Sequence, residues 1–529
     1  MPTIRPSVSS NIISNKSFLL FVAFTEGAAV MATQLVGAKM LTPVYGSSLY
    51  VWGSILGITL VALSSGYFLG GLLSHRKNRE SILFWCLTLA ALFITLMPLL
   101  AKNVIFEFDN LGPIPAVLLL CSLYLLPPLI LLGATTPMII NIISSHLDEA
   151  GSASGTVYAI STCGGILATL LSGFLFIPEY GLTATAQAAG FILILLPIYV
   201  LLKKGHIHAL ALPILALVAM LPAGRETDTP VSVLYQSEGL LGQLMVVDVP
   251  YVNTTQGTTR TDRILFVNRM GQTWVTLKTG KSSWDYFEYL TSASSILPPG
   301  SRVLLLGLGG GILAGHLQRA GFEVDAVELD ERITKIAKKY FGMKENGDII
   351  VDDGRHLLRI SQKKYDLVIF DVFKAEIPPP HLLSLEAFKE ARELLSANGF
   401  IIVNFNGFIT GETGYGGRSL LKTLLEADFK VKVLPTRGDE SHRNNIFLAT
   451  ISDTDFDTGR VPLILENQKV SLNSLFLDLG QIDMESAEVL VDDRPILDKF
   501  NLEAAATWRK HYTATFTKKF TEMGIPLFE

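Results

Sequence analysis

Cysteine is nearly absent from this chain: Cys86, Cys121 and Cys163 are the only three in 529 residues. Everything beyond residue 163 is therefore without a disulfide framework or a cysteine-type zinc site. Charge is also scarce. Asp, Glu, Lys and Arg make up 17% of the chain, against about 25% in an ordinary globular protein. The shortage is local: Ser17 to Pro222 holds seven basic and seven acidic residues in 206 positions, whereas 34 basic and 41 acidic residues follow Pro222, a net charge of −7. An acidic second half argues against nucleic acid, whose affinity rests on Lys and Arg at phosphates. It is compatible with cationic small molecules. No HExxH zinc motif, Gly-Lys-Ser/Thr phosphate loop or nucleophilic triad signature is present, so no metal is expected.

What the chain has instead is apolar sequence, 49% of its residues, with a mean hydropathy of +0.41. A helix needs about 20 mainly apolar residues to cross a bilayer. Six stretches qualify, at roughly 17–40, 47–73, 81–101, 114–143, 153–177 and 181–202, and His206 to Pro222 is a short seventh candidate. Six such runs exclude a lone signal peptide and predict a polytopic helical membrane domain over 17–222, after an N-terminal segment 1–16. Lys and Arg in short loops set orientation. Arg76, Lys77 and Arg79 follow the second stretch, and Lys203 and Lys204 the sixth. Placing both loops in the cytoplasm also places Arg5 and Lys16 there, with Glu107, Asp109 and Glu179 outside. Six crossings leave the second half cytoplasmic, and seven export it. A cytosolic cofactor favours six, with His206–Pro222 lying on the surface. Three features inside the apolar block stand out. Glu26 is a carboxylate near the middle of the first stretch and shares a helix face with Thr33, so it is a candidate site. Pro127, Pro128 and Pro137 predict a broken fourth helix near a cavity. Gly70 and Gly71 predict close helix packing.

After Pro222 the pattern changes. Thr- and Gly-punctuated β sequence predicts a small β lid over 223–275, including Leu244–Val249 and Ile264–Asn268. The remainder, 276–529, opens with buried strands alternating with helices. Strands are expected at 303–306, 324–328, 349–351, 367–370 and 400–403, and helices at 312–320, 331–340 and 385–395. This is a doubly wound, mainly parallel sheet. Its first strand runs into Gly307-Leu-Gly-Gly-Gly311, where Gly307, Gly309 and Gly311 let backbone approach a ligand at a helix N-terminus. Glu328 ends the second strand, about 20 residues on, where a carboxylate suits a ribose diol. Asp353-Gly354 follows the third strand, placed either to accept an adenine amino group or to cap a helix. Asp371 ends the fourth. Together they predict a nucleoside site.

Residues 231–450 resemble the spermidine synthase (polyamine aminopropyltransferase) family, a branch of the class I AdoMet-dependent fold. With the apolar front, the chain resembles its membrane-fused bacterial members, including Val491-Asp-Asp-Arg-Pro495 near the end. The resemblance implies a multi-pass cell-membrane enzyme of polyamine biosynthesis, a homodimer, that moves an aminopropyl group from decarboxylated AdoMet to a small amine. It assigns Gln272, Glu328 and Asp353 to the nucleoside donor, and Tyr286 and Glu288 to a Tyr-His-Glu element in which Phe287 replaces histidine. It makes Asp371 the residue that orients the attacking amine and accepts its proton.

Two departures bear on the chemistry. Gly310 stands where the family's glycine loop carries an aspartate for the donor ammonium, and Lys374 stands where a second aspartate binds polyamine. Glu376 and Glu412 are nearby carboxylates that could compensate for Lys374. Intact AdoMet keeps a carboxylate that a loop aspartate would repel, so Gly310 leaves S-adenosylmethionine open as the donor. An AdoMet-dependent methyltransferase of the same fold is then the alternative. A transporter or sensor with a ligand-binding pseudoenzyme domain is the second, motivated by Glu26 and the prolines.

Overall fold

A computed structural model describes residues 15–528, apart from 47–48, 109–110, 112, 145–149, 221–230, 254–257, 345, 374–377, 441–442, 453–461 and 466–467. The chain divides into two units. The first comprises Met1–Asp228, Ser237–Gln243 and Thr517–Glu529, and the second Thr229–Gln236 and Leu244–Phe516.

The first unit is helical: α1 (Lys16–Tyr45), α2 (Leu49–Leu73), α3 (Arg79–Val104), α4 (Pro113–Ile143), α5 (Ala150–Leu171), α6 (Ile177–Lys203) and α7 (Ala211–Met220). The Asn15 side chain caps α1, accepting from the Ser17 N–H at 2.9 Å. Among the described residues, five helical segments are long and apolar enough to cross a membrane. The fifth runs from Ala150 to Lys203 through a π turn at Ser172–Phe176, so the fifth and sixth predicted stretches are joined. The join is not straight, because Gly181 at φ 80° and ψ 177° interrupts the helical backbone. The short seventh stretch forms a 3₁₀ turn at Ile207–Leu210 and the ten-residue α7, half of the about 20 residues a crossing needs.

Two expectations about this unit are corrected. The prolines do not break the fourth stretch, for Pro127, Pro128 and Pro137 all lie inside the continuous α4. Membrane-type helices tolerate proline where neighbouring helices and hydroxyls re-satisfy the freed carbonyls. Close packing involves Gly66 and Gly70 rather than Gly71. A Cβ on Gly66 would lie 2.5 Å from the Ile130 carbonyl oxygen and one on Gly70 2.1 Å from that of Ala134, whereas one on Gly71 would meet nothing within 4 Å. These two glycines, four residues apart, bring α2 against α4. At one end of the unit, Lys204 after α6 pairs with Glu80 in the first turn of α3 at 2.7 Å.

The second unit begins with an antiparallel sheet in sequential order, β1 (Ser232–Ser237), β2 (Leu244–Asn253), β3 (Thr258–Val267) and β4 (Met270–Thr276). Asn268 and Arg269, both at positive φ (50° and 64°), form the two-residue turn between β3 and β4, as the twist of a hairpin favours.

A seven-stranded sheet follows, in the order β10-β11-β9-β8-β5-β6-β7. Its strands are β5 (Arg302–Leu306), β6 (Glu323–Glu328), β7 (Ile349–Val351), β8 (Tyr365–Phe370), β9 (Leu395–Asn406), β10 (Lys430–Pro435) and β11 (Asn444–Thr450). The five from β9 to β7 are parallel, and β11 and β10 add an antiparallel edge. Successive residues face opposite sides: Leu304, Leu306, Val368, Phe370, Ile401 and Val403 enter one apolar core, and Val303, Leu305, Leu367, Ile369, Phe400 and Ile402 the other. Burial on both faces is what uninterrupted apolar strands require.

The connecting helices are α8 (Tyr286–Ser294), α9 (Ile312–Arg319), α10 (Glu331–Phe341), α11 (Gly354–Ile360), α12 (Leu385–Glu393) and α13 (Tyr415–Glu426). From β5 the chain winds outward through β6 to β7, then returns to β8 on the other side of β5. The carboxyl ends of β5 and β8 therefore flank the switch point, where ligands bind in such sheets. The short β12 (Pro462–Leu465) and β13 (Gln468–Ser471) and the helices α14 (Leu497–Phe500) and α15 (Leu502–Tyr512) complete the unit.

Candidate active site

The glycine loop leaves β5 with Gly307, Gly309 and Gly311 at φ of 89°, 53° and 75°, a region that disfavours any side chain. Gly307 is doubly constrained. A Cβ there would lie 2.2 Å from the Asp371 carbonyl oxygen, because the Asp371 N–H donates to Leu306 at 3.0 Å and draws the ends of β5 and β8 together. Gly310 meets the lid strand β4. Its N–H donates to Thr273 Oγ1 at 2.7 Å, and a Cβ would lie 2.6 Å from the Thr273 methyl. The position the resemblance reserves for an aspartate is thus filled by a threonine from another strand.

Glu328, at the end of β6, is buried. One carboxylate oxygen accepts from the Leu308 N–H at 3.1 Å, the other from the Asp330 N–H at 3.0 Å. Burial raises its pKa, and those backbone donors oppose the rise. The Gly309 N–H is a third backbone donor to Glu328; a carboxylate offers about four lone-pair positions, so one remains for a ribose hydroxyl. Asp353 caps α11: its Oδ1 accepts from the Arg355 and His356 N–H groups at 2.8 and 3.2 Å, and its Oδ2 lies 3.2 Å from His381 Nε2. Gly354 is the first residue of that helix. Glu328 and Asp353 thus end neighbouring strands on the same edge as the glycine loop.

Asp371, after β8, accepts at Oδ1 from the Asn404 amide at 2.7 Å, and Asn404 Oδ1 accepts in turn from the Asn444 amide at 2.7 Å. This chain crosses the ends of β8, β9 and β11 and fixes the carboxylate. Burial pushes the Asp371 carboxyl up to about 6, with the Asn404 amide opposing. It also pushes the Tyr286 phenol well above its ordinary value, and the charge of Asp371 adds to that rise. A cavity of about 100 Å³ adjoins this network, lined by Gln272, Trp284, Tyr286 and Asn404 and by Trp508 and Tyr512 of α15. Tyr286 and Gln272 are thus brought together, whereas Glu288 is not among the lining residues. The charge of Glu288 is felt instead by His316 of α9. Glu412 is exposed, and Lys374 and Glu376 lie outside the described residues. Glu26 belongs to the first unit.

Sequence reasoning missed Thr273, the Asn404–Asn444 pair and α15. A polar Asn404 ending a buried strand was a usable signal. Trp508 and Tyr512, a hundred residues further along the chain, gave none. Their helix is held over the lid hairpin by Arg509 Nη1, which donates to the Asn268 carbonyl at 2.6 Å. Ring packing of Phe516 on Trp274 and Phe266, each at 5.4 Å, adds to this. The role of Val491–Pro495 also becomes clear. Asp492 accepts from Arg355 Nη2 at 2.8 Å and from Ser384 Oγ at 2.6 Å. Arg355 is buried and also binds Glu390. The motif thus ties the distal segment to α11 and α12, beside the Asp353 cap.

Residues 286–410 match the spermine/spermidine synthase domain. Over 452 residues the chain is 24% identical to polyamine aminopropyltransferase 2 of Aquifex aeolicus, covering 79% of this chain and 85% of that protein. It is 33% identical over 129 residues to a polyamine aminopropyltransferase of Vibrio vulnificus, covering 22% of this chain and 43% of that one. It is 34% identical over 116 residues to an N-terminal histidine N-methyltransferase of Emericella nidulans, 21% of each chain. The last two matches span less than half of those relatives' length.

Proposed function

We propose, from the match of residues 286–410 to the spermine/spermidine synthase domain, that the chain's second unit transfers an aminopropyl group from decarboxylated AdoMet to a small amine. The observation that carries this reading is Asp371, a carboxylate held by Asn404 beside an aromatic-lined cavity. A sulfonium donor already has a good leaving group, so the protein's work is to position the nucleophile and remove its proton. An alkyl amine with a pKa near ~10.4 is protonated at neutral pH, and Asp371 would take that proton while the neutral nitrogen attacks in line. Glu328, Asp353, Gly354, Gln272 and the glycine loop would hold the nucleoside, and Tyr286, Trp508 and Tyr512 would wall the acceptor. Lys374, standing in the sequence where the resemblance expects a polyamine-binding aspartate, would narrow the amines accepted. The functional dimer implied by the resemblance belongs to this reading, and light scattering of the purified protein tests it.

One observation favours a second reading. Gly310 is packed against Thr273, so the donor's amino-acid end meets no loop carboxylate there, which suits intact AdoMet and methyl transfer. Product analysis separates the two: methylthioadenosine marks aminopropyl transfer and S-adenosylhomocysteine marks methyl transfer.

We place the first unit in the cell membrane. At about 1.5 Å per residue, 54 helical residues would measure roughly 80 Å, far beyond a hydrocarbon core of about 30 Å. We therefore read Ala150–Lys203 as two crossings turning near Gly181, six in all. The Lys204–Glu80 pair supports putting the two basic loops on one side, and α7 is too short to cross back, which leaves the second unit cytoplasmic. Reporter fusions after Lys204 and at Thr229 test this; opposite sides for the two would refute it.

A further inference from the structure

The first unit contains a polar cavity that the transfer chemistry does not use. Glu26 is the eleventh residue of α1, so it lies about 15 Å along that helix from its start, at mid-depth of an apolar segment, and it is buried. Ser161 Oγ of α5 donates to Glu26 Oε2 at 3.0 Å, and the Thr136 hydroxyl of α4 also bonds the carboxyl. Thr33 takes no part, since its hydroxyl donates to the Ala29 carbonyl of its own helix at 2.7 Å. The carboxyl opens onto a cavity of about 460 Å³ between α1, α2 and α5, whose other polar lining is Tyr67, Ser161, Thr162 and Thr169. Among the described residues no Lys, Arg or His lines it.

A carboxylate in an apolar segment is costly to keep there, and two hydroxyls would be satisfied as well by a glutamine. An anion would be repelled, and a purely apolar ligand would leave the carboxylate unused. The exposed part of the lining is mainly hydrocarbon, with Ile166 at 56%, Leu170 at 51% and the ring of Tyr67 at 39%. A ligand matching all three facts carries a positive nitrogen on a flexible alkyl chain. The nitrogen would meet Glu26 and the Tyr67 ring, whose face attracts a cation, while the methylenes lie along Ile166 and Leu170.

We propose that the Glu26 cavity is a second amine site, binding a primary ammonium group on an alkyl chain within the helical unit. This follows from the cavity alone and stands whether the second unit transfers aminopropyl or methyl groups. The test uses full-length Asp371→Asn protein in lipid nanodiscs, so that amine bound beside Asp371 is minimised, with radiolabelled putrescine as the probe. The expected result is one saturable site from which hexylamine displaces the label and hexanol does not. Glu26→Gln should weaken this binding about 10- to 100-fold, the worth of a charged hydrogen bond. Ile166→Trp, an exposed position that narrows the mouth without touching the carboxyl, should weaken it too. The temperature at which the buried Cys86 and Cys121 become open to a thiol-reactive dye should be unchanged in both variants and serves as the folding check of the helical unit; if Glu26→Gln does not fold, Ile166→Trp decides. Absence of saturable putrescine binding, equal displacement by hexanol, or undiminished binding in folded Glu26→Gln would overturn the proposal. Binding lost in Glu26→Gln, with no aminopropyl transfer by the wild type, would uphold this site while refuting the reading of the second unit.

Discussion

Asp371 shows how one residue carries both a chemical role and a stability cost. Its pKa is raised from 3.8 to about 6 by burial, so the folded state holds the proton more tightly than the unfolded chain. The stabilisation this gives is complete below pH 3.8 and is lost as pH rises through about 6. At neutral pH the ionised carboxylate is therefore a net strain. Asp371→Asn should raise unfolding stability at pH 7.5 by about 1–3 kcal/mol and flatten its pH dependence between 4 and 7, while abolishing transfer. Calorimetry across that range checks the first part and product formation the second; an Asn variant with full turnover would remove Asp371 from the mechanism. For the wild type, an acidic limb in kcat/KM near pH 6 is expected, because only the ionised form accepts a proton. The donor question also belongs to single residues. Gly310→Asp alone should destabilise the protein, since its Cβ would press on Thr273. Combined with Thr273→Gly, the same aspartate should fit and shift preference toward decarboxylated AdoMet by about tenfold or more, on the scale of one charged hydrogen bond. Titration calorimetry with both donors measures that shift, and an unchanged preference would show that the loop does not select the donor.

Among the elements, those with strong local signatures were legible in the sequence. Apolar runs such as Val303–Leu306 gave the strands of the parallel sheet, and the glycine loop and strand-end acids followed from strand order. Asp353 did not resolve from sequence because capping and ligand binding ask for the same residue at the same place; the structure shows the cap with one lone-pair position to spare. Three things were hidden for physical reasons. The prolines in α4 resemble breakers, yet tertiary packing keeps the helix continuous. Glu288 matched by motif position, but a helix turns about 100° per residue, and α8 presents Tyr286 and not Glu288 to the cavity. Helix α15 carries no motif, and its placement comes from long-range contacts with the lid hairpin. That placement makes a prediction about this element. Trp508→Ala should raise KM for the amine severalfold and leave the affinity for the nucleoside donor unchanged, because Trp508 lines the cavity beside Asn404 and not the glycine loop. Steady-state kinetics varying each substrate in turn would show it; an equal loss for donor and amine would mean that α15 acts only as structural support for the lid.

The division of the whole molecule can itself be tested, because its two units are interleaved in the chain. The C-terminal residues Thr517–Glu529 belong to the helical unit, where Leu527 and Phe528 enter the apolar core with α1 and α3. Leu527 is 1% and Phe528 6% exposed, and the Leu527 carbonyl accepts from the Gln243 amide at 3.2 Å. Truncating both to alanine should cost the helical unit about 5–10 kcal/mol, the sum of two large buried side chains, with nothing removed from the nucleoside site. The cysteine distribution supplies the readout. All three cysteines lie in the first unit, two of them buried at Cys86 and Cys121, so a thiol-reactive dye reports unfolding of that unit alone. In the Leu527→Ala/Phe528→Ala protein the temperature of thiol exposure should fall while AdoMet affinity at 25 °C stays at the wild-type value. A matching loss of AdoMet affinity would show that the two units fold as one cooperative body. An unchanged thiol transition would show that the tail contributes little to the helical core despite its burial.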